Sequence, residues 1–274
     1  TKTAALQPLN PNMTLGLTIL LGVLMFTQQP LGTDLYLPSM PLLGQTFNAT
    51  VAQVARTMTA FLIAFGVAQI VCGPLCDRFG RRTMALWGTA LFVLGSVGCA
   101  WTDTLDHLVA WRAVQASGAC ASFVAARAMV RDSFAPQDGA RVISTISSFM
   151  SLAPICGILL GGALVTYWGW RFNFGFLAVY GAAVFTLLWV KLPETLKPAD
   201  LQRINVRGLW ASYGIIVRNA SFRAYTLTAC AGGAGLFCHL AGSSTVYIKV
   251  LGESAWWFSV CFAVGCLGYL SGTV

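Results

Sequence analysis

About eight strongly apolar stretches of membrane-spanning length, separated by short polar loops, constrain this chain more than any other feature. They run roughly over residues 15–40, 51–75, 83–100, 108–130, 142–166, 172–190, 222–247 and 254–270. Most are long enough to cross a hydrocarbon core about 30 Å thick at roughly 1.5 Å of rise per helical residue. A membrane-spanning strand would alternate apolar and polar residues over about ten positions, and no stretch does so, which predicts helices. Ser, Thr, Gly and Ala recur within the stretches, as helix-to-helix packing requires. The composition excludes a soluble fold: 57% of residues are hydrophobic and 9% charged. Soluble domains carry roughly 25% charged residues to make a hydrated surface. The chain begins Thr1-Lys2, and its first apolar stretch leads into further spans, so it reads as the first transmembrane helix and not as a cleaved leader.

Basic residues cluster on alternate loops. Lys2 precedes the first stretch; Arg78, Arg81 and Arg82 follow the second; Arg131 and Arg141 lie between the fourth and fifth; Lys191, Lys197, Arg203, Arg207, Arg218 and Arg223 lie between the sixth and seventh. The other loops hold only Arg171 and Lys249. This asymmetry places the N-terminus and the basic loops in the cytoplasm. Topology and anionic lipid thus account for the net charge of +8, and no nucleic-acid partner is implied. The longest polar interval, 192–220, divides the chain into a six-helix bundle (1–191), a cytoplasmic linker (192–220) and a partial second bundle (221–274). Residues 201–217 read either as an amphipathic interfacial helix or as a plain linker.

Polar residues that interrupt the apolar pattern are the candidate functional ones. Asp34 lies near the outer end of the first helix, and Arg112 a few residues into the fourth, with Gln115 one turn away on the same face. A carboxyl whose exposure changes with conformation can bind and release a proton, so Asp34 is the proton-coupling candidate, against a helix-end hydrogen-bonding role. Arg112 is expected to point inward, whereas Arg56 and Arg127 are expected to snorkel to the headgroups. Phe26, Tyr36, Met58, Phe61, Gln115, Phe149, Met150, Phe237 and Tyr247 are candidates for a substrate cavity, although Phe and Met in such helices are by default packed or lipid-facing. His239 reads as a helix-packing residue. Nine cysteines lack paired or His-clustered spacing and read as small buried hydrophobes. With no catalytic constellation, phosphate loop or metal-ligand spacing, neither an enzyme nor a cofactor is expected.

The loop after the second stretch reads Gly73-Pro74-Leu75-Cys76-Asp77-Arg78-Phe79-Gly80-Arg81-Arg82. It resembles the Gly-x-Leu-x-Asp-Arg-x-Gly-Arg-Arg signature of the major facilitator superfamily. Asp34-Leu35-Tyr36-Leu37-Pro38-Ser39-Met40-Pro41 and the stretch Val124 to Asp132 resemble the bicyclomycin-resistance and chloramphenicol-efflux branch of its drug:proton antiporters. Residues 108–118 are similar to the fourth-helix motif, whose arginine, here Arg112, is associated with proton coupling. Pro154, Gly157, Gly161 and Gly162 resemble the fifth-helix antiporter motif, with Ile158 where the common form has Pro. That departure bears on tight sealing and on strict antiport.

The resemblance implies an all-α polytopic membrane protein of the bacterial inner membrane, whose fold comprises a complete six-helix N-terminal bundle of two inverted repeats plus the first two helices of the C-terminal bundle. It implies proton-coupled export of small hydrophobic or amphiphilic compounds such as antibiotics by alternating access. Gly73, Asp77, Arg78, Gly80, Arg81 and Arg82 would form a cytoplasmic gating latch between the halves. The expected partners are a small-molecule substrate, protons and the lipid bilayer. Missing C-terminal helices of the same protein, or a second chain, would complete the pathway. The alternatives are a transporter of a specific metabolite (sugar, amino acid or nucleoside) and a truncated, non-transporting product.

Overall fold

The computed structural model describes residues 13–150, 152–196 and 206–272. Lys2, Lys197, Arg203 and part of the 201–217 segment lie outside the described residues, as does the side chain of Phe237. All regular structure among the described residues is helical, and six helical stretches are long and apolar enough to cross a membrane. The first span, Leu15–Thr46, is broken where its prolines fall. It comprises α1 (Leu15–Phe26), α2 (Gln28–Asp34), a 3-10 turn (Leu37–Ser39) and α3 (Met40–Thr46). Pro38 and Pro41 sit in the first turns of their elements, where no N–H is needed, so the span continues past the expected end at residue 40.

The next spans are α4 (Val51–Phe79), α5 (Arg81–Trp101) and α6 (Leu105–Ser133). Thr50 starts α4 with a reciprocal cap: Gln53 N–H donates to Thr50 Oγ1, and Thr50 N–H donates to Gln53 Oε1. Thr104 caps α6 through a bond from His107 N–H. The fifth span is two helices, α7 (Pro136–Met150) and α8 (Ala153–Trp168), with Pro154 in the first turn of α8. Pro154 needs no N–H partner there, so it starts a helix instead of kinking one. The sixth span is α9 (Trp170–Lys191). Gly80 and Gly169, each at φ +90, make the α4–α5 and α8–α9 turns, a backbone state that side chains resist.

The fourth span is the centre of the first bundle. Two-thirds of its most apolar window is buried, against 17% for α4. It meets α5 through glycines. A Cβ at Gly95 would lie 2.5 Å from Gln115 N, and one at Gly88 would lie 2.7 Å from Ser122 N. Such approaches exist only where side chains are missing.

Beyond the first bundle follow α10 (Val206–Arg218), α11 (Ala220–Thr245), a π-helical turn (Val246–Val250) and α12 (Ala255–Gly272). Asn219 caps α11 by accepting from Phe222 N–H. The main joint with the first bundle is α12 on α8, where Gly162 lies against Ser259 and the Ala255 carbonyl. Lys249 brings its ammonium group against Gly44 of α3. Both contacts lie toward the end of the bundle opposite the loop that carries Arg78, Arg81 and Arg82. That loop marks the basic end of the bundle.

Candidate functional site

Two polar centres stand out, one inside the first bundle and one at its basic end. In the first, Arg112 is fully buried. Its Nη1 donates to the Gly32 carbonyl at 2.8 Å and to Gln115 Oε1 at 2.7 Å. Gln115 Nε2 donates to Ser96 Oγ at 2.7 Å, and Ser96 donates to the Phe92 carbonyl. Three rings surround the guanidinium, with centroids 4.3 Å (Phe61), 4.6 Å (Tyr36) and 5.8 Å (Phe174) from its carbon. Nε and Nη2 have no hydrogen-bond acceptor among the described residues, and no carboxylate pairs with this charge. Desolvated cation–π contacts of about 2 kcal/mol each take the place of a counter-ion. Tyr36 is fixed in turn by a 2.5 Å hydrogen bond with Thr57.

Asp34 is buried, and its Oδ1 accepts from Thr33 Oγ1 at 3.1 Å. It does not meet Arg112. Residues 32 and 34 lie about 200° apart around a helix, so the Gly32 carbonyl side faces α6 while Asp34 faces α8. There Gly157 leaves room: a Cβ at that position would lie 3.7 Å from Asp34 Cβ and 3.5 Å from Leu35 N. Gly161 packs onto the Leu35 backbone in the same way. Ile158, buried and aimed into the first bundle's core, fills the place where the family motif has Pro. Nearby, Asn173 of α9 donates to the Leu35 carbonyl at 2.9 Å and to Ser39 Oγ at 2.7 Å, holding the broken first span from its other side.

At the basic end, Arg81 is the hub, although only 3% exposed. It reaches Asp77 Oδ1 at 2.9 Å and Asp132 Oδ2 at 2.7 Å, and donates to the Cys76 carbonyl at 2.7 Å. Arg131 approaches both carboxylates at 3.7 Å. Glu194 closes the network from beyond α9. Its carboxylate accepts from Arg81 N–H at 2.9 Å and Arg82 N–H at 3.2 Å, at the N-terminus of α5 where the helix dipole favours an anion. Arg82 Nη2 donates to the Trp189 carbonyl at 2.8 Å. Gly80 is needed twice, for its backbone conformation and because a Cβ there would collide with the Glu194 carboxylate. Gly73 has open space around it, and exposed Arg78 covers Phe79 at 5.3 Å. Every contact named here lies within the first bundle or joins it to Glu194 at the start of the linker. Asp132 and Glu194 are not legible as latch residues in the sequence, because both are distant along the chain from the loop they hold.

The remaining candidates divide by exposure. Phe26, Met58, Tyr36, Phe61 and Gln115 are enclosed in the first bundle, whereas Phe149 is exposed and Met150 half-buried at the end of α7. Tyr247 is half-buried, with its ring 5.7 Å from Phe258. Arg56 is exposed beside Asp106 at 3.8 Å, and exposed Arg127 lies over Phe123 at 4.7 Å. His239 stacks on Phe262. Among the described residues, no group of three or more His, Cys, Asp or Glu gathers as a metal site.

Comparison with known proteins places this geometry. The chain is 31% identical over 261 residues to an uncharacterized MFS-type transporter, YdgK, of Bacillus subtilis, covering 94% of this chain and 65% of that protein. It is 35% identical to a chloramphenicol resistance protein of Pseudomonas aeruginosa, covering 85% of this chain and 55% of that one. It is 31% identical to multidrug resistance protein D of Escherichia coli, covering 92% and 62% respectively. The chain thus spans somewhat over half the length of these relatives. Its fold matches the crystal structure of a bacterial homolog of the human lysosomal transporter Spinster, inward-facing and unoccupied, with a TM-score of 0.75 at 16% identity, over 93% of this chain and 59% of that one. The family model of the Major Facilitator Superfamily matches residues 18–274, and the chain belongs to that superfamily.

Proposed function

We propose that these residues form the first half, and the start of the second, of a proton-coupled exporter of small hydrophobic or amphiphilic compounds. It works by alternating access across the bacterial inner membrane, with the N-terminus and the basic end in the cytoplasm. The observation that carries this reading is Asp34: a carboxyl buried in the first span, with a hydroxyl donor and no ion pair among the described residues. An ionised carboxylate in such a place is costly, so the group must either hold a proton or be reached by water. Gly157 and Gly161 press α8 onto this part of the first span, and Gly162 presses the same helix onto α12. Any motion that parts α8 from α12 is thereby transmitted to the surroundings of Asp34, which couples protonation to the joint between the two bundles.

The other parts take roles in the same scheme. Arg112 fixes the opposite face of α2 through the Gly32 carbonyl. The Asp77–Arg81–Asp132–Glu194 network keeps the basic end of the first bundle rigid. The bundles meet away from the basic end, an arrangement that suits an inward-facing state. Phe149, Met150 and Tyr247 are the candidates left available to an amphiphilic substrate, and the names of two relatives, chloramphenicol resistance and multidrug resistance, support a drug-like one.

The intact transporter, reconstituted in liposomes with an imposed pH gradient and followed with chloramphenicol, tests the reading. Asp34→Asn is expected to bind chloramphenicol yet lose gradient-driven transport. Undiminished gradient-driven transport by that variant would refute the proton role of Asp34.

A further inference from the structure

Pro74 stands inside α4 and has no N–H, so the carbonyl one turn earlier, that of Ile70, loses the donor an unbroken helix supplies. Val67, Ile70 and Val71 are all exposed apolar residues on this part of α4, the face a membrane helix turns to lipid. Lipid offers no donor, and a carbonyl freed there needs one from the protein. It has one: Tyr213 of α10 donates from its phenolic oxygen to the Ile70 carbonyl at 2.8 Å, across 143 positions of sequence. α10 carries exposed apolar residues of its own, Ile215, Ile216 and Val217. After Arg218 only Asn219 separates α10 from α11.

We propose that Tyr213 is the anchor of the connecting segment, and that the carbonyl exposed by Pro74 is its receptor. α10 is then fastened to α4 and moves with the first bundle, and it is not a loose tether between bundles. Asn219 is the point at which the second unit begins to move independently. Proline at position 74 is a docking feature in this scheme, since an ordinary residue would close the helical hydrogen bond and occupy the acceptor that Tyr213 uses. The inference is independent of what, if anything, the protein carries across the membrane.

Hydrogen exchange read by mass spectrometry on the intact protein in lipid nanodiscs tests this, with amides of α6 as an internal control. Tyr213→Phe keeps the ring and removes the donor, so exchange across residues 206–218 is expected to rise about five-fold, the size of one net hydrogen bond, while α6 is unchanged. Pro74→Ala restores the N–H and occupies the carbonyl. In that background Tyr213→Phe is expected to change exchange by less than about two-fold. The proposal is overturned if Tyr213→Phe leaves 206–218 unchanged in the natural sequence, or if its full effect persists in the Pro74→Ala background.

Discussion

Asparagine at position 132 isolates the energetics of the basic-end network. Arg81 is 3% exposed and divides its guanidinium between Asp132 at 2.7 Å and Asp77 at 2.9 Å. Removing one partner of a buried ion pair costs about 3–5 kcal/mol when the surviving charge is left alone. Here Asp77 remains and asparagine keeps an acceptor oxygen, so Asp132→Asn is expected to cost about 2 kcal/mol, the size of one charge-assisted hydrogen bond. The Asp77 side chain is 38% exposed against 18% for Asp132, so water replaces more of its contribution and Asp77→Asn is expected to cost about 1 kcal/mol. With both changed, the Arg81 guanidinium keeps only neutral acceptors and no carboxylate, and the double variant is expected to lose about 4–5 kcal/mol, more than the two single losses together. Intrinsic-fluorescence unfolding in detergent reads these as Tm decreases of about 2–4 °C per kcal/mol. A Tm for Asp132→Asn within about 1 °C of the parent, or strictly additive losses, would show that Arg81 is not the shared hub.

Other outcomes follow from the same geometry. Arg112→Met fills a similar volume and relieves the desolvation of a buried charge that has no carboxylate, but it leaves the buried Gly32 carbonyl and Gln115 Oε1 without their donor, so it is expected to fold and to lose about 1–3 kcal/mol in unfolding experiments; a loss above about 5 kcal/mol would show that the aromatic enclosure stabilises the charge by more than its desolvation costs. Gly95→Ala, which puts a methyl 2.5 Å from Gln115 N, is expected to cost about 1–3 kcal/mol in detergent unfolding, whereas Gly175→Ala in open space on α9 is expected to be neutral or stabilising by up to about 1 kcal/mol. Gly80→Ala is expected to lower Tm more than Arg82→Ala, because it strains the α4–α5 turn and displaces Glu194 together; equal effects would refute the double role of Gly80.

The legible part of the fold came from local signals. Hydropathy marks the spans, and Gly80 and the prolines of the first span act on backbone geometry within a turn of themselves. The continuation of the first span to Thr46 escaped hydropathy because Gly44, Gln45 and Thr46 dilute the apolar run while leaving it helical. The candidate site was legible as residue types and less so as contacts. Asp34 and Arg112 both stand out as charges in apolar sequence, yet nothing local says that the short α2 turns Asp34 to one face and the Gly32 carbonyl that meets Arg112 to the other. Phe61 and Tyr36 are legible as candidate cavity residues, but their place about Arg112 is not, because aromatic side chains suit ligands and buried cations equally well. Phe174, the third ring about Arg112, lies in an unremarkable apolar run. Glu194 stands in the polar interval after the sixth stretch, and its bonds to the start of α5 join positions more than a hundred residues apart.

The adjacent glycines of α8 give that helix two independent contact surfaces. Position 161 abuts the Leu35 backbone inside the first bundle, and position 162 abuts Ser259 in the second unit. Neighbouring residues on a helix diverge by about 100°, so material added at one does not fill the gap at the other. The fifth span is in this sense a two-sided shim. Thickening its inner side distorts one half of the molecule from within, while thickening its outer side pries the halves apart and leaves each intact. Sequence drift at position 162 therefore acts first on how tightly the halves close and reaches the buried carboxyl only through the movement of α8, whereas drift at 161 acts on the carboxyl's surroundings directly.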